Sequence, residues 1–397
     1  MDFTLTPGQE NIRQLTHWLA ENEIRPLSLA ADRDHQFPDA FLLKLKQLGV
    51  TQGATEAEDR PAEVGGRRSK QANRSAVIGA EEMAWGDASL ILSLPGPGLG
   101  GPPIRLTGTK EQQERFFAPF QREEELHWGA YGLTEPNAGS DVAGLMTSAK
   151  KDGHHYVLNG RKCYITNGAR ADWVVIFATL NPALGRAGHR AFVVEKGTPG
   201  FSVGKLEKKM GLRASETAEL VLEECRVHAD NLLGGESIYE ATDGFKTAMK
   251  TFDNTRPLVA AMAVGIGRAA YERARDFAKE AYCLARPLPR HALIQALLGK
   301  MERRLEAARL LVWKAASMAD LGLPNTKEAS MSKAYAAEVA QQVTIDALEV
   351  MGAAGNHRDA LVEKWFRDVK VYDIFEGTGQ IQRIVIAKRL FDTIKSF

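Results

Sequence analysis

Apolar residues change their spacing twice along the chain. Near the start, Ile12, Leu15, Trp18 and Leu19 recur at helical spacing behind Thr6-Pro7-Gly8-Gln9, a capping box with proline at the first helical position. A second helix is predicted over about Phe41 to Leu48, residues 51–70 read as a mobile polar loop, and helical character returns from about Ala72 to Leu92. From Trp128 to about Leu233 the period becomes that of strands. Trp173-Val174-Val175-Ile176-Phe177-Ala178 and Ala191-Phe192-Val193-Val194 suit strands buried on both faces, and Ala218-Glu219-Leu220-Val221-Leu222 alternates. Asn159-Gly160, between Tyr156-Val157-Leu158 and Cys163-Tyr164-Ile165-Thr166, predicts a hairpin turn. From Gly244 the pattern is helical again. Runs around 256–282, 290–320, 326–352 and 359–374, broken by Pro287, Pro289, Pro324 and Gly352 to Gly355, suit a four-helix bundle. The expectation is an α+β fold with an N-terminal helical domain (1–127), a central β-barrel or sandwich domain (128–235) and a C-terminal helical bundle domain (236–397).

Composition narrows the function classes. At 397 residues the chain exceeds one compact core, and 44% hydrophobic with 25% charged residues marks a globular protein. A net charge of +1 gives no general attraction to nucleic acid or anionic membranes, and no apolar run is long enough to span a bilayer. Cys163, Cys225 and Cys283 fit neither a disulfide framework nor a metal spacing, and Met1-Asp2-Phe3-Thr4 does not open a signal peptide. A reducing cytoplasm is therefore expected, with no metal site. Gly96-Pro97-Gly98-Leu99-Gly100-Gly101 formally matches a dinucleotide fingerprint. The prolines at 95, 97, 102 and 103 are expected to forbid the helix whose N-terminus such a site needs, leaving a close-approach turn that lines a pocket or a packing seam.

The chemistry concentrates near the end. An apolar pattern runs to Phe375 and resumes at Ile381, and between them stands Glu376-Gly377-Thr378-Gly379. An acidic side chain flanked by apolar residues on a glycine break is desolvated, which raises its pKa toward that of a general base. Taken alone, the same four residues read better as a helix N-cap region with a surface glutamate.

Five motifs in order resemble the acyl-CoA dehydrogenase family: Gly132-Leu133-Thr134-Glu135-Pro136-Asn137-Ala138-Gly139-Ser140-Asp141; Asn159-Gly160-Arg161-Lys162-Cys163-Tyr164-Ile165-Thr166-Asn167; Phe252-Asp253-Asn254-Thr255-Arg256; Phe366-Arg367-Asp368-Val369-Lys370; and Glu376-Gly377-Thr378-Gly379-Gln380-Ile381-Gln382-Arg383. The resemblance implies an FAD-dependent acyl-CoA dehydrogenase. In it Tyr131, Leu133, Thr134, Gly139, Ser140, Tyr164, Ile165 and Thr166 line the flavin, and Thr378 and Gln380 hold its ribose and phosphate region. Ser140, Phe252, Asp253, Arg256, Phe375 and Gly377 would meet the thioester, and Glu376 would take its α-proton while the β-hydride goes to the flavin. The alternative position for the base is Thr255 here, which cannot serve. Implied partners are an acyl-CoA or acyl-carrier thioester, an electron-transfer flavoprotein as acceptor, and further subunits in a homo- or hetero-oligomer. The residues themselves leave room for blander readings: a capped turn at 134–141, a sheet-paired Tyr164, an Asp253–Arg256 pair within one helix, and a structural Arg367-Asp368.

The departures from the family pattern cluster. The segments through which a neighbouring subunit completes the flavin site read Ala281-Tyr282-Cys283-Leu284-Ala285 and Glu349-Val350-Met351-Gly352-Ala353-Ala354-Gly355, so the expected arginine is Ala281 and the expected neutral amide is Glu349. Losing one charged hydrogen bond costs about 1.5–3 kcal/mol, roughly ten- to a hundredfold in affinity. Two explanations stand: a catalytic subunit that borrows an arginine from a sister chain, or a homo-oligomer in which Arg286 or Arg290 supplies the charge. The segment 51–70 keeps only Glu63-Val64-Gly65-Gly66 of a family turn, and with the glycines at 96–101 this suggests a wide acyl group. A non-catalytic subunit and a flavin oxidase or monooxygenase are the competing functions on the same scaffold.

Overall fold

The computed structural model describes residues 3–52, 71–241, 251–283 and 285–391, with backbone only at 240, 241 and 251–254. The loop expected at 51–70 and Leu284 fall almost wholly outside these residues, as do the side chains of Phe252 and Asp253.

Helices open the chain: α1 (Pro7–Leu19), α2 (Ser28–Asp34), α3 (Asp39–Gln47), α4 (Ala72–Ser93), α5 (Gly101–Thr107) and α6 (Lys110–Phe117). The Thr6 capping box forms, with the Gln9 amide N–H donating to Thr6 Oγ1 at 3.3 Å and Gln9 Oε1 accepting from Thr6 N at 3.1 Å. Helix α4 kinks at Asp87, whose backbone is extended (φ −158°, ψ 118°). The cause is local competition for hydrogen bonds: the Asp87 carboxylate accepts from Ser89 N at 2.8 Å and from the hydroxyls of Ser28 and Ser89. The Lys364 ammonium, 2.9 Å from Asp87 and 2.6 Å from Asp368, completes a buried charge cluster there.

The middle is one mixed sheet: β1 (Gly129–Gly132), β2 (Ser148–Asp152), β3 (His155–Thr166), β4 (Trp173–Thr179), β5 (His189–Glu195), β6 (Phe201–Leu206) and β7 (Thr217–His228). Its order is β1-β4-β2-β3-β7-β6, with β5 also paired to β4, so the sheet curls and splits around β4. Every residue of β4 is buried, as its unbroken apolar run predicts.

Asn159-Gly160 is not a hairpin turn. Strand β3 runs straight through it, and the pair forms a bulge against β7 between Leu158 and Gly160. Asn159 Oδ1 accepts from Glu224 N at 2.8 Å and its amide donates to the Glu224 carboxylate at 2.8 Å. Gly160 (φ +155°) passes so near Thr147 that a Cβ would sit 2.5 Å from its hydroxyl. The actual turn is at Gly153, between β2 and β3.

The glycines at 96–101 are also corrected in part. A short helix, α5, does follow, because prolines in a first helical turn forfeit no hydrogen bond. The turn is a packing seam: a Cβ on Gly96 would strike the Gln52 carbonyl, and one on Gly100 would lie 2.5 Å from the Ala130 carbonyl and the Trp173 ring. These glycines are consumed by backbone contact, so they give no ground for a wide acyl pocket.

The remaining helices are α7 (Gly235–Ala241), α8 (Thr251–Glu280), α9 (Ala292–Asp320), α10 (Thr326–Met351), α11 (Val362–Val369) and α12 (Gly379–Phe391). Helix α8 is the axis of this region. Ala260, Ala263, Ala270, Ala274 and Ala278 are buried along it, and small residues permit close approach on two sides. Gly265 abuts the α4 backbone at Glu81, and a Cβ on Gly267 would lie 3.2 Å from Ala340 Cα in α10. The run expected at 359–374 is shorter as a helix, ending at Val369 and tightening into a 3-10 turn over Lys370–Asp373.

Candidate active site

Two layers of the fold converge on Glu376. The first is the turn between α11 and α12. Glu376 (φ +52°) and Gly377 (φ +88°) both adopt the left-handed region, which reverses the chain before α12. Gly377 has no room for a side chain, since a Cβ would lie 2.6 Å from Gln382 Nε2, and Gly379 packs against the Asp373 carboxylate. The buried Gln382 amide donates to the carbonyls of Glu376 at 3.1 Å and Gly377 at 2.9 Å. Lys333 Nζ donates to the Gly377 carbonyl at 2.7 Å from α10. The alternation of glycine and polar residues in 376–379 is therefore dictated by backbone shape.

The second layer is helix α8, whose Thr255 hydroxyl donates to Glu376 Oε2 at 2.7 Å. Burial raises the Glu376 pKa above the usual carboxylate value; the Thr255 bond and the positive charges of Arg256 and Lys333 oppose that rise. Tyr131 on β1 lies within electrostatic reach, since burial first and the Glu376 charge second push its phenol pKa far up. Tyr372 is fully buried below, its ring 5.1 Å from that of Phe375. Glu376, Phe375, Gly377, Arg256 and Tyr131 are thus drawn together from separate parts of the sequence.

A polar loop continues from β1. Glu135 is its anchor: the carboxylate accepts from Met146 N at 2.6 Å, Thr147 N at 2.9 Å and Lys162 Nζ at 2.7 Å. Lys162 also donates to the Leu133 carbonyl at 3.2 Å, and Cys163 N donates to the Thr134 carbonyl at 2.9 Å, stitching the loop to β3. Leu133 is buried, Thr134 half-buried, and Gly139 and Ser140 exposed, with open space where a Gly139 Cβ would be. On β3, Ile165 is buried and Thr166 half-buried. Tyr164 takes a left-handed backbone (φ +58°) at a second bulge and is 67% exposed.

This donor set fits FAD. An uncovered aromatic ring at Tyr164, together with the exposed hydroxyl of Ser140, the half-buried hydroxyls of Thr134 and Thr166, and the open backbone at Gly139, suits a flat ring system with polar edges. Thr378 and Gln380 stand at the start of α12. The Thr378 hydroxyl already accepts from Ile381 N at 3.3 Å, while Gln380 is exposed. Arg367 and Asp368 are structural: Arg367 pairs with Asp32 at 2.9 Å and Glu363 at 2.8 Å, and Asp368 accepts from Leu212 N at 2.6 Å.

Sequence reasoning passed over Lys162, Lys333 and the amide of Gln382. A signal existed for the lysines. Lys333 is a charge in the helical stripe Ala329, Ala336, Ala337 and Ala340, and Lys162, after Arg161, leads into Cys163-Tyr164-Ile165 on a strand.

Comparison with known proteins agrees with this geometry. Residues 6–124 match the N-terminal, 130–225 the middle and 242–391 the C-terminal domain of acyl-CoA dehydrogenase. The short-chain specific acyl-CoA dehydrogenase of Clostridium acetobutylicum is 40% identical over 393 residues, covering 98% of this chain and all of that protein. Butyryl-CoA dehydrogenase from Megasphaera elsdenii superimposes with a TM-score of 0.87 at 37% identity, covering 98% of this chain and 100% of that one. A chain solved in work on the electron transferring flavoprotein of Acidaminococcus fermentans gives 0.87 at 36% identity, covering 98% and 99%. These matches place the chain in the acyl-CoA dehydrogenase family of FAD-dependent oxidoreductases.

Proposed function

We propose that this chain desaturates an acyl-CoA thioester between Cα and Cβ, with Glu376 as the base that removes the α-proton. The observation that carries this reading is the Glu376 carboxyl itself: half-buried on a left-handed turn, its pKa raised by burial, with the Thr255 hydroxyl donating to it at 2.7 Å. Desolvation makes the carboxylate a stronger base, and the Thr255 bond gives it a fixed direction without neutralising it. Bound FAD supplies the acceptor for the β-hydride. Leu133, Thr134, Gly139 and Ser140 on the loop, with Tyr131 and with Tyr164, Ile165 and Thr166 on β3, hold its ring, and Thr378 and Gln380 its ribose and phosphate end. Ser140, Phe252, Asp253, Arg256, Phe375 and Gly377 hold the thioester, Arg256 by a charge-assisted bond to phosphate. The neighbouring Phe375 ring, 5.1 Å from that of buried Tyr372, adds an apolar wall next to the base. The resemblance to a chain studied with an electron transferring flavoprotein supports such a protein as the electron acceptor.

The test is Glu376→Gln, which keeps shape and removes basicity. With FAD retained, oxidation of every thioester that the wild type accepts should fall by several orders of magnitude. Undiminished oxidation of any of them overturns the assignment.

The oligomer is a second question, raised by Ala281 and by Glu349 and Ala353, which are exposed. Arg286 and Arg290 are exposed on and just after the small hairpin Tyr282–Cys283/Arg286–Pro287, and so can face a neighbouring chain. A homo-oligomer using one of them, or a sister subunit lending an arginine, both satisfy the missing charge. Near-full FAD occupancy and turnover of the chain expressed alone selects the homo-oligomer; FAD gained only with a partner selects the other.

A further inference from the structure

Lys333 is 0% exposed on α10, in a buried stripe with Ala329, Ser330, Ala336, Ala337 and Ala340. Burying an ammonium costs several kcal/mol even after relaxation, so a lysine there calls for a reason beyond packing. Its hydrogen bond does not supply one. The Gly377 carbonyl that Lys333 meets at 2.7 Å is also served by the neutral Gln382 amide at 2.9 Å. What the lysine adds to that carbonyl is charge.

The charged and titratable groups around Glu376 come from every element packed on it. Arg256 faces it from α8, Lys333 from α10, Tyr131 from β1 and Tyr372 from the turn after α11, while Asp373 acts on Lys333. Of the two cations, Arg256 is assigned above to the substrate's phosphate. Lys333 is fully buried, with its ammonium on the carbonyl of the turn.

We propose that Lys333 is a positioning residue for the base: its buried ammonium, seated on the carbonyl of Gly377 next to Glu376, keeps Glu376 in the carboxylate form. Burial drives the two groups in opposite directions, Glu376 upward and Lys333 down to about 8, and each opposes the other's neutralisation. While Lys333 is charged, Glu376 ionises at a lower pH than burial alone would allow. The proposal rests on Glu376 being the base, but the coupling between the two groups can be measured without turnover.

The experiment is an infrared titration of the holoenzyme, following the carboxylic-acid band that Glu376→Gln abolishes. Lys333→Met and Lys333→Gln both remove the charge, and Gln keeps an N–H donor. Each should raise the Glu376 midpoint by about one pH unit or more, with the acid limb of the kcat profile moving by the same amount and bound FAD retained. A folded, FAD-containing Met or Gln variant with the wild-type midpoint overturns the proposal, as does a kcat loss equal at all pH values. If one variant does not fold, the other decides. Should Glu376→Gln retain turnover, the base assignment fails, and the infrared shift still reports on Lys333 separately.

Discussion

The Lys162–Glu135 pair offers the strongest test of how the loop proposed to meet the flavin is held. Lys162 is 0% exposed and Glu135 6% exposed, so both charges are out of water. Their contact at 2.7 Å, with two backbone N–H groups on the carboxylate, offsets that cost. Lys162→Met leaves Glu135 as a buried carboxylate without its cation, which costs about 3–5 kcal/mol. Adding Glu135→Gln removes the stranded charge. What remains is one backbone N–H, of Met146 or Thr147, without its acceptor, about 1–3 kcal/mol. The double variant should therefore be more stable than Lys162→Met by about 2 kcal/mol, a non-additivity expected only for groups in contact. The pH dependence has a definite sign. In the wild type, Lys162 and the backbone donors hold the Glu135 carboxyl below its ordinary value against burial. Without Lys162 its folded-state pKa rises above the unfolded value. That contribution is then full in acid and lost as pH rises through the folded pKa, so the single variant is most stable at low pH. Urea denaturation of the variants across pH, with FAD counted per chain from absorbance, reads both effects. A Lys162→Met protein with wild-type stability and wild-type FAD content would refute the reasoning.

Three further outcomes are expected. Thr255→Val removes the 2.7 Å donor that favours ionised Glu376, so the acid limb of kcat/KM should move upward by about one pH unit; an unmoved limb counts against the bond. Gly160→Ala places a Cβ 2.5 Å from Thr147 Oγ1 at φ +155° and should cost about 1–3 kcal/mol, seen as a lowered melting temperature. Lys364→Met strands Asp87 and Asp368 and should cost about 3–5 kcal/mol near neutral pH, with part regained in acid as the carboxylates take up protons; a thermal melt at two pH values checks both the loss and its recovery.

Much of the scaffold was legible because it is periodic. The α1 cap, the buried β4 run and the long helices α8 to α10 each carry their signal within one window of residues. Asn159-Gly160 misled because the same dipeptide that turns a hairpin also suits a bulge. Which one forms depends on β7 and Thr147 lying alongside, and neither is local. The proline-flanked glycines misled in the same way, their lost side chains being explained by Gln52, Ala130 and Trp173 from elsewhere in the chain.

The sequence by itself determined the kind of protein: a segment of strand period between two of helical period, an acidic residue on a glycine break, and five motifs in a family's order. Local steric and hydrogen-bond preferences act over a few residues, and such preferences are written in the letters. Only the tertiary structure decided what tunes the site. Thr255 is 121 positions from Glu376, Lys333 is 44 from Gly377, and Lys162 is 27 from Glu135. Charges and hydroxyls act through space, in a medium whose polarity is set by whatever packs around them. Their effect on one carboxyl exists only once the helices and the sheet have closed on it.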